Sequence, residues 1–188
     1  MSATTPDWSA LPVPVDDGAA RHLAGMRLPS VPLPATDGST VDLSALPGRV
    51  VLYAYPRTAD PDSGSPRGWD GIPGARGCTP QSCAFRDHFT ELQALGVSRL
   101  FGLSTQTTAY QQEAASRLHL PFPLLSDMSL ALAGALRLPV FEAGGMKLLR
   151  RLTLVMDGGV VRQVFYPVFP PDRNAADVMA WLSSPAQA

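Results

Sequence analysis

The sequence predicts an α/β domain, a mixed central β-sheet flanked by helices, and three observations point to it. Residues 49–55, Arg-Val-Val-Leu-Tyr-Ala-Tyr, form an unbroken β-branched and aromatic run that stops at Pro56, as a strand buried on both faces does. Downstream, further strand-like runs alternate with segments whose apolar residues recur every three to four positions. Near the end, 151–156 and 160–165 flank Asp157-Gly158-Gly159, a short hairpin connection. Alternating strands and helices that close with a hairpin make the sheet mixed.

The elements follow in order. Residues 1–24 are a Pro-rich opening segment with Pro6, Pro12 and Pro14, and one domain is expected over 25–188. Residues 29–42 read as short extended pieces around the turn signal Asp37-Gly38, and 43–48 close with a second turn. After the 49–55 strand, 57–77 turns to Pro, Gly, Ser and Asp, with Trp69 and Ile72 as its large apolar residues. Loops of this length in compact domains are usually functional or disordered. From Thr79, with Pro80 at its opening, Phe85, Phe89, Leu92 and Leu95 line one face of a helix that stops at Gly96. A strand over 99–103, a helix over 107–118 and a break at Pro121-Phe122-Pro123 come next. Ser126 is expected to cap a helix through 136, and 175–182 makes the closing helix.

Composition narrows the function classes. A chain of 188 residues with 45% hydrophobic content builds an ordinary globular core. The net charge of −1 offers no basic footprint for nucleic acid or an anionic membrane. Residues 1–22 lack a cationic stretch followed by an apolar run, and the apolar runs are too short to span a bilayer, so a cytoplasmic location is expected. Two cysteines are too few for a stapled secreted scaffold, so their position carries the argument.

Cys78 sits where the loop turns into a helix. A thiol there faces unpaired backbone N–H groups and the positive end of the helix dipole, which favour the nucleophilic thiolate, and Arg76 stands close in sequence. Attack on a peroxide oxygen would leave a sulfenic acid, which over-oxidises unless a second thiol condenses with it. Cys83 is the candidate second thiol within the chain. Five residues along an α-helix separate two Cα atoms by about 8 to 9 Å. A disulfide tolerates at most about 7 Å, so the helix would have to unwind to form one. The alternatives are two small buried hydrophobes, or zinc held by Cys78, Cys83, His88 and His119. The Cys-x4-Cys-x4-His spacing speaks against zinc. His88 reads as a helix-surface residue, and His22 and His119 have no partner in sequence.

These residues carry a resemblance to the peroxiredoxins, in particular to the bacterioferritin comigratory protein or peroxiredoxin Q group. The similar pieces are 43–56, Gly77-Cys78-Thr79 with Cys83 and Phe85-Arg86-Asp87, Phe101-Gly-Leu-Ser104, 120–127 and 151–157, and together they cover roughly 25–185. The resemblance implies a thioredoxin-like fold and reduction of hydrogen peroxide and organic hydroperoxides. It also implies a disulfide recycled by thioredoxin or a similar dithiol; no metal or organic cofactor is needed, and a monomeric or weakly associating protein is expected. It identifies Cys78 as the attacking cysteine, Cys83 as the resolving one and Arg151 as the arginine that holds thiolate and peroxide. A guanidinium suits that role because it stays charged and offers fixed donors. Arg150 beside it reads as solvated.

The chain departs from the family pattern at one point. The family's proline and threonine, seven and three residues before the attacking cysteine, are here Gly71 and Ala75. Residues 57–77 are therefore expected to hold an insertion, with Pro56 and Thr58 as displaced equivalents and Thr58 supplying the missing hydroxyl, Thr79 being the other candidate. Trp69 and Ile72 would either cover the site or anchor the loop. The competing functional readings are a thiol–disulfide oxidoreductase of the same fold, which the absence of a Cys-x2-Cys pair disfavours, and a redox sensor without efficient peroxidase activity.

Overall fold

The computed structural model describes residues 6–59 and 64–184, so 60–63 of the expected loop and the extreme ends lie outside the described residues. Strands β1 (Pro32–Pro34) and β2 (Thr40–Asp42) pair antiparallel around the Asp37-Gly38 turn. β3 (Arg49–Ala54) is the predicted apolar strand. Successive side chains point to opposite faces of a strand. Val50, Leu52 and Ala54 accordingly enter one apolar cluster, while Val51 and Tyr53, followed by Tyr55, enter another. Helices cover both faces, which is why this strand has no polar alternation.

The chain continues through α1 (Cys78–Asp87), α2 (Phe89–Ala94) and β4 (Val97–Ser104). The single helix expected from Thr79 to Gly96 is thus two, because His88 leaves helical geometry at φ −101° and ψ 14°. Phe85 and Leu92 nevertheless bury against the same cluster across the break. α3 (Thr108–Arg117) is capped by the Thr107 side chain, which accepts from the Tyr110 N–H. β5 (Leu124–Ser126) and α4 (Ala131–Leu136) follow. Ser126 does not cap α4, contrary to expectation. It pairs with Ser104 in the sheet and donates its hydroxyl to Gln106 O at 2.6 Å, whereas the Asp127 carboxylate accepts from the N–H groups of Leu132 and Ala133 at 3.1 and 2.8 Å.

β6 (Val140–Ala143) and β7 (Met146–Leu149) form a hairpin that the sequence reading passed over, although its Gly144-Gly145 connection is a hairpin signal. β8 (Leu152–Asp157), β9 (Val160–Phe165) and α5 (Asn174–Leu182) complete the chain. The central sheet runs β5-β4-β3-β8-β9; β3, β4, β5 and β9 run one way and β8 the other. α4 packs on one face; α1, α2 and α5 pack on the other.

Two segments outside the sheet bear on the site. The opening segment docks on the domain: Ala20 and Leu23 are buried in the core, and Trp8 Nε1 donates to Asp172 at 2.9 Å. In the long loop, Trp69 packs with Ala75 and Leu148, its ring 6.1 Å from that of Phe141 on the β6–β7 hairpin. Ile72 lies against the same cluster. Among the described residues no helix is long and apolar enough to cross a membrane.

Candidate active site

α1 starts at Cys78 because Gly77 can take a backbone shape that other residues resist, with φ at 106°. Space forbids a side chain there as well, since a Cβ on Gly77 would lie 2.6 Å from Pro171 Cγ and 2.9 Å from Trp8 Cη2. The first helical hydrogen bond runs from the Gln81 N–H to Gly77 O at 3.0 Å. Cys78 is buried, 4% exposed, beside the unpaired N–H groups of the first turn.

Arg151, immediately before β8, comes to the same point from the sheet. Its Nη2 lies 3.3 Å from Cys78 Sγ and also donates to Ala75 O and Arg76 O at 3.2 Å and to Gly74 O at 3.3 Å. Its Nη1 donates to Gln81 Oε1. The guanidinium is 3% exposed, yet among the described residues no carboxylate pairs with it. A buried cation without a counter-charge is costly, and among the described residues the Cys78 sulfur is the atom within its reach that can carry negative charge. The sulfur has a partner in each protonation state: as a thiol it reaches Ala75 O at 3.7 Å, and as a thiolate it accepts from Arg151.

Cys83 is half-buried on the same helix, and both sulfurs are free. Burial pushes its thiol above the ordinary value, with the Arg86 cation opposing. Thr58 is buried as well, its N–H and hydroxyl donating to Gln106 Oε1 at 3.1 and 3.3 Å. The structure thus joins Cys78 to Arg151, places Cys83 farther along α1, and ties Thr58 to the loop after β4. A cavity of about 520 Å³ opens onto Cys78, with Arg57, Ala59, Trp69, Arg76 and Pro80 in its walls. Trp69 therefore anchors the loop and lines the approach together.

Other candidates take different places. Arg76 pairs with Asp70 on the surface. Arg150 stacks over the Phe141 ring at 5.7 Å. His88 is half-exposed with Nδ1 3.8 Å from Glu91 Oε1, and His22 Nε2 lies 2.8 Å from Leu136 O. Sequence reasoning missed Gln81, although its spacing of three from Cys78 puts both on one helix face. It also missed Thr153 and Asn174, which meet Gln81 from β8 and α5 and left no local signal.

A redoxin family model matches residues 23–179. The chain is 30% identical to peroxiredoxin Q, chloroplastic, of Oryza sativa subsp. japonica, over 97% of this chain and 79% of that protein. It is 28% identical to the putative peroxiredoxin bcp of Coxiella burnetii, over 84% of this chain and 97% of that one. Among solved structures, peroxidoxin BcpB from Mycobacterium tuberculosis superposes with a TM-score of 0.68 at 28% identity, covering 85% of this chain and 95% of that one.

Proposed function

We propose, from the premise that the chain belongs to the redoxin family within its peroxiredoxin Q group, the following course for its thiol-dependent peroxidase activity. Cys78 thiolate attacks the nearer oxygen of a hydroperoxide, hydrogen peroxide or an organic one. An S–O bond forms as the O–O bond breaks; sulfur loses two electrons, and the leaving alkoxide or hydroxide takes up a proton to depart as alcohol or water. Arg151 donates to the sulfur and to the peroxide oxygens as charge moves onto them. The observation that carries this reading is the buried guanidinium 3.3 Å from Sγ, with no carboxylate partner among the described residues.

Thr58 supplies the hydroxyl in this scheme. It already donates to Gln106, so its free lone pairs can only accept, which suits a peroxide O–H. Its neighbours Arg57 and Ala59 line the cavity. Cys83 then attacks the sulfenic sulfur, hydroxide leaves and is protonated to water, and a disulfide results. Because Cα atoms five apart on a helix stand about 8 to 9 Å from each other, α1 unwinds for this step. Thioredoxin or a similar dithiol protein reduces the disulfide, and the protein works as a monomer in the cytoplasm. The family domain spans 25–188, preceded by the Pro-rich segment 1–24 and carrying an insertion within 57–77.

Stopped-flow Trp fluorescence with hydrogen peroxide on wild type, Cys78→Ser, Cys83→Ser and Thr58→Val tests the scheme. Fast oxidation should vanish only in Cys78→Ser, turnover should vanish in both cysteine variants, and Thr58→Val should oxidise about tenfold or more slowly. Peroxide consumption that survives loss of Cys78 would reject the reading. Wild-type oxidation in Thr58→Val would move the hydroxyl role elsewhere.

A further inference from the structure

Behind Arg151 runs a buried polar chain that has no direct contact with the sulfur. Asn174, the first residue of α5 and 1% exposed, accepts twice at Oδ1: from Gln81 Nε2 at 2.9 Å and from Thr153 Oγ1 at 2.7 Å. Gln81 and Thr153 are fully buried. The direction of the chain follows from the cation at its end. A guanidinium only donates, so Gln81 must turn Oε1 to Arg151 and Nε2 the other way; Asn174 must answer with its oxygen, and Thr153 must donate.

Gln81 also lies between the two cysteines on α1. Any unwinding that carries Cys83 to Cys78 pulls Gln81 off Asn174 and off Arg151 together. We propose that Asn174 is a positioning residue that latches α1 in its folded form and thereby aims Arg151 at Cys78, so that peroxide reactivity and helix folding are set by one hydrogen-bonded unit. This rests on the reading of Cys78 as the attacking sulfur and of α1 as the helix that unwinds. Releasing the latch has two effects of opposite sign: oxidation of Cys78 slows because Arg151 is less well held, and disulfide formation quickens because α1 opens more readily.

The test compares wild type, Asn174→Ala and Asn174→Asp. Asn174→Asp keeps an acceptor of the same shape for Gln81 and Thr153. In Asn174→Ala, oxidation by hydrogen peroxide should slow about tenfold, the size of one lost buried hydrogen bond, while the subsequent disulfide step accelerates. Asn174→Asp should restore both rates toward wild type. Unchanged rates in Asn174→Ala, or both steps slowed alike with Asn174→Asp equally impaired, would overturn the latch and leave Asn174 a space-filling residue. Amide exchange across Cys78–Asp87 in the reduced proteins reads the latch without peroxide. Faster exchange in Asn174→Ala is expected, and equal exchange overturns the proposal. A wild type that consumes no peroxide would instead reject the peroxidase reading, with the exchange comparison still deciding the latch.

Discussion

Arg151 brings a permanent positive charge to a place where it is 3% exposed, and its acceptors among the described residues are three carbonyls, an amide oxygen and one sulfur. Of these only the sulfur can carry a full negative charge, so the electrostatics of the pocket converge on Cys78. Cys83 lies farther along α1. Burial disfavours its charged form and raises its thiol above the ordinary value, with Arg86 as the main opposing cause. Thiolate is the form that attacks, so at neutral pH only a small part of Cys83 reacts, and the fraction grows as pH rises. In single-turnover experiments from about pH 6 to about pH 9 the disulfide step should accelerate continuously, without a plateau at the upper end. A rate that levels off below the ordinary thiol range would contradict the burial effect.

At the scale of elements, α1 is defined by how it begins. Gly77 combines a φ of 106° with a backbone pressed against Pro171 and Trp8, so any side chain strains the chain and collides with its neighbours. Gly77→Ala should cost about 2–4 kcal/mol of stability, the sum of an unfavourable backbone region and overpacking. It should also slow Cys78 oxidation, because the first turn moves relative to Arg151. Urea denaturation together with the oxidation rate checks both halves. The β6–β7 hairpin plays the corresponding part for Arg151: Leu148 and Phe141 pack with Trp69, and the strand runs directly into Arg150 and Arg151. The loop that carries Ala75 and the strand that delivers the guanidinium are thereby joined through one apolar cluster.

In the molecule as a whole, the sheet is covered on both faces and the site lies at the edge where α1, α5 and the residue before β8 meet. The opening segment reaches this edge too. Trp8 donates to Asp172, rests its ring 6.1 Å from that of Phe169, and closes over Gly77. Trp8→Ala should lower the urea midpoint at unchanged m-value, by an amount equivalent to about 1–3 kcal/mol, from the lost aromatic burial and the lost hydrogen bond. An unaltered midpoint would mean that the segment rests on the domain without stabilising it.

By itself the sequence determined the class of fold, most of the strands and helices, and which sulfur stands at the start of a helix. Those features are written in neighbouring residues: the apolar run 49–55, the Asp157-Gly158-Gly159 connection, and the Gly77-Cys78 junction. His88 broke a helix whose apolar face continues across it, and Ser126 went to the sheet because its backbone found a partner in Ser104. Neither outcome is visible to periodicity, which registers side-chain faces and not backbone partners. The family resemblance already paired Arg151 with Cys78, and the tertiary structure supplies their contact across 73 positions of chain; only the tertiary structure decided that Gln81 and Asn174 meet across 93 and that the Thr58 hydroxyl is taken by Gln106. Contacts between residues so far apart depend on how sheet and helices pack, and that packing leaves no mark in the local order of residues.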